Sequence, residues 1–290
     1  MASSAAIVKT AVSERRRLAE AGSAALNVLA SGPGWRIVDI VCTSDVSDRP
    51  FEEAHAYASI AIVTAGAFSY HCAVGRAQLA AGSILLTNPG DCFCCSHEHG
   101  AGDRCIAFQL ASEELEALWS LYGSGPRARF SVPSIPASES STGLVATAEA
   151  FASGGLDIDP AELLTRVVRR AVQSTAIATP TAPAPARARR VLEVARTIEE
   201  DPAAEWTLAG LAGLAAMNQF HFLRCFKQVC GLTPYAFVRQ ARLREAARLL
   251  LESNFTISRV AVEAGFSDLS TFNHAFKRAF GRSPAQFRLR

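Results

Sequence analysis

The 290-residue chain contains no apolar run approaching the roughly 18 residues that a membrane helix needs. Its start turns polar at Ser13-Glu14-Arg15-Arg16-Arg17 after a short apolar stretch. That order is the reverse of a secretory signal, whose basic residues come first. The expectation is a cytoplasmic protein without membrane association. In that compartment its eight cysteines are thiols or metal ligands rather than a disulfide framework. Excess charge is also missing, the formal net being +2. With 49% apolar residues, this is a globular composition, and the length allows two domains with full cores.

The small net charge conceals a split. Residues 187–290 carry 16 Lys/Arg against 9 Asp/Glu, whereas residues 1–186 carry 13 against 18. A basic C-terminal third is an electrostatic footprint for phosphate. The chain divides at 178–186, where Pro180, Pro183 and Pro185 favour an extended spacer over a helix. Residues 1–177 and 187–290 are thus read as separate domains.

The second of these contains the same pattern twice. Thr207–Met217 aligns with Thr256–Phe266 at an offset of 49, which becomes 50 after one extra residue. Phe222, Phe226, Lys227, Gly231, Pro234 and Phe237 then fall on Phe272, Phe276, Lys277, Gly281, Pro284 and Phe287. Each copy reads as a short helix capped by Thr207 or Thr256, a turn, and a second helix capped by Asn218 or Ser267 and ended by glycine. A further helix precedes the first copy over Arg190–Glu200. A long one, from Pro234 to Leu251, joins the two units. Such a connector would hold two reading helices in successive major grooves of DNA.

Residues 1–177 look different. Short β-rich segments at 60–64, 68–72, 83–87 and 104–110 are bounded by Gly66, Gly75, Gly82 and Pro89-Gly90. They suggest an antiparallel barrel or sandwich. Helical patterns follow at 112–122, 142–152 and 159–177, and one is expected over 13–30.

The C-terminal hundred residues resemble the AraC/XylS family of bacterial transcription regulators. The likeness rests on Arg242-Leu-Arg-Glu-Ala-Ala-Arg-Leu-Leu250, on Ile257, Val260, Ala261, Ala264, Gly265 and Phe266, and on Phe272, Phe276-Lys277, Phe280-Gly281-Arg282-Ser283-Pro284 and Phe287. The resemblance implies an α+β chain: an N-terminal cupin-like β-barrel with flanking helices, then an all-α domain with two helix-turn-helix motifs. It implies a homodimer on double-stranded DNA with an RNA polymerase contact. It maps base reading onto Phe220, Leu223 and Arg224 in the first unit, and onto Leu269, Ser270, Asn273 and His274 in the second. By chemistry, Arg224 suits guanine, Asn273 suits adenine, and Phe220 and Leu223 suit thymine methyls. Lys227, Arg239, Lys277, Arg278 and Arg282 suit phosphate.

A second cluster lies in the N-terminal region. Cys92, Cys94, Cys95, His97, His99 and Cys105 place six soft-metal ligands within fourteen residues. On a strand, Cys92 and Cys94 share one face and Cys95 takes the other. Zinc or another thiophilic metal, or a thiol-reactive signal, would suit such a set, and inert packing is the alternative. No pair of Cys-x-x-Cys knuckles is present, which argues against a sacrificial alkyl acceptor of the four-cysteine kind. A cupin-type metalloenzyme needs His-x-His on an early strand, where only His71 occurs. The expectation is a sensor, not an enzyme.

Overall fold

The computed structural model describes residues 2–97, 101–123, 128–174 and 185–289. The N-terminal part opens with α1 (Ser4–Leu18), followed by β1 (Ala24–Gly32), β2 (Trp35–Cys42), β3 (Phe51–Ala54), β4 (Ala58–Cys72), β5 (Gly75–Ala80), β6 (Ile84–Thr87), β7 (Cys92–Ser96) and β8 (Asp103–Leu110). Then come α2 (Ser112–Tyr122), β9 (Ser134–Ile135), a 3-10 turn (Glu139–Ser141), α3 (Thr142–Ala152) and α4 (Pro160–Ser174). The C-terminal part is entirely helical: α5 (Pro185–Glu200), α6 (Leu208–Leu214), α7 (Gln219–Cys230), α8 (Pro234–Glu252), α9 (Ile257–Glu263), α10 (Leu269–Phe280) and α11 (Pro284–Arg288).

Two expectations change here. The helix expected over 13–30 is a helix over 4–18 followed by strand β1, because Ala19 adopts a left-handed conformation at the end of α1 and stops it. The segments 60–64 and 68–72 form one long strand, β4. Its register slips between Val63 and Ala65, a bulge that reverses which residues face inward. The spacer expected over 178–186 lies mostly outside the described residues, and α5 begins at Pro185.

The bulge in β4 builds the barrel. The first half of β4 pairs with β6 and β8, and its second half pairs with β5 and β7. Two sheets thus share one strand. They enclose a common interior of Ala61, Val63, Cys105 and Ala107 from one side and Phe68, Tyr70, Leu79 and Cys95 from the other. The outer face of the first sheet, with Ile60, Ile62, Ile106 and Phe108, is covered by α2, α3 and α4. The apolar stripe of α4, Leu163, Leu164, Val167, Val168, Ala171 and Val172, is spent on that contact.

In the helical part, α8 serves two cores. Its first half contributes Ala236, Phe237, Val238 and Ala241 to a core with Phe222 and Phe226 of α7. Its second half contributes Leu243, Ala246, Ala247 and Leu250 to a separate core with Phe272 and Phe276 of α10. The repeat in sequence is thus a repeat in packing. Each short helix is capped as expected, Thr207 accepting from the Gly210 N–H and Thr256 from the Arg259 N–H. Asn218 caps α7. Its counterpart on α10 is Asp268, not Ser267, because Ser267 is the one extra residue of the second copy.

The turn position shows what the repeat tolerates. Gly265 sits there in the second copy at φ 87°, and Ala216 sits there in the first at φ 49°. A left-handed alanine costs about 1–2 kcal/mol, and glycine costs the unfolded chain roughly 0.5–1 kcal/mol in return. Ala216→Gly is therefore expected to stabilise the protein by up to about 1 kcal/mol in chemical denaturation. Gly265→Ala should destabilise it, since an added Cβ would lie 2.7 Å from Ala203 Cα.

The two parts pack directly together. Arg244 of α8 lies 3.8 Å from Glu149 of α3 and 3.7 Å from Glu199 of α5. Gln240 of α8 donates to the Ser138 carbonyl at 2.7 Å. The Glu199 side chain is only 5% exposed, and burial pushes its carboxyl up to about 8 despite Arg244. Its Oε2 accepts from the Gly66 N–H at 3.3 Å, so α5 touches the sheet at the exit of the β4 bulge.

Candidate nucleic-acid interface and candidate metal centre

In both units the phenylalanines four residues apart point inward, leaving the predicted reading residues outside. Phe222, Phe226, Phe272 and Phe276 are all fully buried. Around them, Phe220 is 88% exposed, Leu223 39% and Leu269 43%. Arg224, Ser270 and His274 are exposed, and Asn273 is partly so. Phe220 therefore covers no apolar surface of its own chain. Leu269, Ser270, Asn273, His274, Lys277 and Ser283 line a shallow depression on the second unit. The helix N-termini there already carry caps from Asn218 and Asp268, so these side chains are not needed to hold the helices.

The candidate phosphate ligands differ in their commitments. Lys227 and Lys277 project into solvent from the last turns of α7 and α10, where a cation also meets the negative end of the helix dipole. Arg239 is paired with Glu139 at 2.5 Å, and Arg278 lies 3.4 Å from the same carboxylate. Arg282 lies over the Phe287 ring, 4.8 Å from its centroid. Two of the five cations are thus engaged by an acidic residue of the N-terminal part.

In the sheet domain the register decides which cysteines meet. Cys95 and His97 fall on the inward side of β7 and its continuation, and both are buried. Cys92 is exposed. Cys94 is partly exposed and stands opposite His71 and Glu52 in the register, on the outward face. The alternation expected of Cys92, Cys94 and Cys95 is present, and it takes Cys92 and Cys94 away from the interior ligands. His99 lies outside the described residues.

The interior instead adds two groups from outside that set of six, one of them from a distant strand. Cys42 ends β2, Asp103 begins β8, and the two are register partners. His97 Nε2 lies 2.6 Å from Asp103 Oδ2. The Cys105 thiol donates to Asp103 Oδ1 at 3.5 Å. Donor atoms of Cys42, His97 and Asp103 all lie within 4.8 Å of one another, the one such group among the described residues. Burial opposes charge on His97, but its hydrogen bonds with Asp103 and Cys42 outweigh this and lift its pKa to about 10. Burial, reinforced by Asp103, pushes the Cys95 and Cys105 thiols up. Asp103 lies within the cysteine-rich stretch, but its role depends on a pairing 61 residues away that no local pattern announces.

Residues 211–290 match the family described as helix-turn-helix domain, and residues 45–155 match the family described as AraC-like ligand binding domain. Over 100 residues the chain is 33% identical to the HTH-type transcriptional regulator MtrA of Neisseria gonorrhoeae, covering 34% of this chain and 33% of that protein. It is 33% identical over 101 residues to the RCS-specific HTH-type transcriptional activator RclR of Escherichia coli (strain K12), covering 35% and 36%. The aligned stretch thus spans about a third of the length of these relatives. The crystal structure of the DNA-binding domain of AdpA, a global transcriptional factor in complex with a target DNA, is 29% identical over 34% of this chain and 90% of that one, with a TM-score of 0.34.

Proposed function

Because the chain belongs to the AraC/XylS family of bacterial transcription regulators, we propose that it binds double-stranded DNA through α7 and α10 and adjusts that binding through its sheet domain. The observation that carries this reading is the repeat itself: two equivalent helices, each anchored by buried phenylalanines, each presenting its remaining face to solvent. A 19-residue α8 between them is about 28 Å long, close to the roughly 34 Å of one DNA turn. Phosphate contacts from Lys227, Lys277, Arg278, Arg282 and Arg239 position the domain, and Arg224, Asn273, His274, Ser270 and the apolar Phe220, Leu223 and Leu269 read bases.

In this reading the protein works in the cytoplasm as a homodimer that contacts RNA polymerase, and its barrel senses rather than catalyses. The sensing chemistry resides in the Cys/His cluster, as metal binding or as reaction at a thiol. An electrophoretic gel shift with the DNA upstream of the protein's own gene tests the core of the proposal. A retarded band that survives excess unrelated duplex is expected. A band that unrelated duplex removes equally well would refute it.

A further inference from the structure

We propose that Cys42, His97 and Asp103, with Cys105 as fourth ligand, form a site for zinc(II). This names the signal for the sensing role proposed above, and its regulatory part rests on that reading. The donor set is mixed: two thiols, one imidazole and one carboxylate, each from a side chain more than nine-tenths buried. Zinc takes these ligand types in four-coordinate tetrahedral sites, whereas copper(I) and mercury(II) favour thiolates alone. Zinc–ligand distances of about 2.0–2.3 Å place tetrahedral ligands roughly 3.3–3.8 Å apart. Three donors already within 4.8 Å of one another need only small side-chain movements to close on an ion.

The surroundings argue against a merely structural ion pair. A buried carboxylate is ordinarily surrounded by hydroxyl, amide or guanidinium donors that satisfy its lone pairs. Asp103 instead has one imidazole and the weak S–H donor of Cys105, with Cys42 and Cys95 alongside. Thiols are poor hydrogen-bond partners and good zinc ligands.

The backbone at the site is held tightly. Gly102, at φ 74°, donates its N–H to the Ser44 carbonyl at 2.8 Å, and a Cβ there would meet Val12, Val8 and the Cys42 carbonyl. Gly66, at φ 77°, is so close to Gly102 and Asp103 that a Cβ would lie 2.3 Å from the Gly102 carbonyl oxygen. Two glycines therefore lock Asp103 against the end of β2. Rigid support of this kind is what a preorganised ligand set requires.

The same contact leads out of the barrel. Asp103 is the ladder partner of Gly66, and Gly66 donates to Glu199, which faces Arg244 on α8. Occupancy of the site thus bears on the helix that carries both DNA-reading units.

The test uses the full-length chain without a histidine tag, stripped by chelator under reducing conditions and titrated with zinc alone. One zinc per chain is expected. Cobalt(II) in its place should give a thiolate-to-cobalt charge-transfer band and the intense visible absorption of a tetrahedral site. Cys42→Ser and Asp103→Asn should each weaken zinc binding by more than the roughly 10- to 100-fold that loss of an outer partner costs. Cys92→Ser and Cys94→Ser should leave it unchanged. Failure to bind zinc, copper(I) taken up in its place, cobalt bound without the thiolate band, or zinc binding abolished by Cys94→Ser would each overturn the site. The cobalt spectrum of the unaltered protein decides the matter even if the Cys42 variant does not fold.

The gel shift, run on the same preparations, separates the two proposals. Sequence-specific DNA binding by protein that takes up no zinc sinks the site alone. Zinc bound as described by protein without specific DNA binding supports the site and sinks the regulator reading. Loaded and stripped protein should differ in DNA affinity by about 5- to 150-fold, the usual span of coupling between sites, and equal affinities would overturn the sensing role.

Discussion

Arg224→Ala is expected to weaken binding to the specific DNA site by about 1–3 kcal/mol, roughly one to two orders of magnitude, while barely changing affinity for unrelated duplex. The guanidinium sits on the exposed face of α7, and no ion pair or hydrogen bond to a described residue engages it. Removing it therefore costs the fold nothing, and the weakening reports on DNA alone. Its planar fork matches the two acceptors of guanine in the major groove. Lys227→Ala provides the contrast. Without that ammonium to neutralise a phosphate, affinity should fall uniformly across sequences, and the slope of log affinity against log salt should shrink by about one. Fluorescence anisotropy on specific and scrambled duplexes, at several salt concentrations, measures both. If Arg224→Ala reduced both duplexes equally, Arg224 would be a backbone ligand and the base-reading assignment would fail.

Arg239 and Arg278 behave differently because Glu139 already engages them. Their use on DNA requires that the sheet domain release them, or that phosphate outcompete one carboxylate. An electrostatic link between the two parts of the chain is thus built into the surface proposed to meet DNA, beside the buried contact of Arg244 with Glu149 and Glu199.

How much of this is legible in the sequence depends on how local each feature is. Helices α5 to α10 follow from caps, glycine stops and apolar spacing within a few residues. Duplication makes them doubly readable, because each copy checks the other. The exception, Asp268 in place of Ser267, arises where the copies differ in length. The barrel is harder. β1 reads Ala-Ala-Leu-Asn-Val-Leu-Ala-Ser-Gly, a composition as compatible with a helix as with a strand, and it is a sheet edge with Leu26 and Val28 exposed. Its conformation is set by pairing with β2, a neighbour whose register no short window reveals. The bulge in β4 is equally hidden. The segments on its two sides are each visible, but not that one strand joins them with its inward face reversed.

The candidate metal centre repeats that lesson at the level of single residues. Alternation on β7 correctly separates Cys95 from Cys92 and Cys94, yet choosing the inward face requires knowing which side the second sheet covers. Cys42 and Asp103 meet because β2 and β8 are antiparallel neighbours. His97, Asp103 and Cys105 lie within the cysteine-rich stretch, and tertiary pairing selects which of its members converge.

Phe276→Ala should remove about 3–5 kcal/mol from the second helix-turn-helix unit, a large share of the roughly 5–15 kcal/mol that holds a typical domain together. Phe276 is fully buried, with ring centroids of Phe272, Phe280 and Phe287 at 5.5, 4.1 and 5.3 Å. No smaller side chain can fill that space without leaving a cavity. The two units have separate cores, however, with α8 contributing to both. The damage should therefore be local. Amide hydrogen exchange is expected to accelerate across α9, α10 and α11, while α6 and α7 keep their protection. Phe226→Ala should do the reverse, and because each core also takes in residues of the N-terminal part, Ala67, Ala80 and Ala137 in the first and Ala146 in the second, both variants should loosen the junction between the two parts as well. A variant that lost protection evenly through both units would mean that α8 transmits unfolding along its length, and that the paired readers form a single cooperative body rather than two modules on a shared rod.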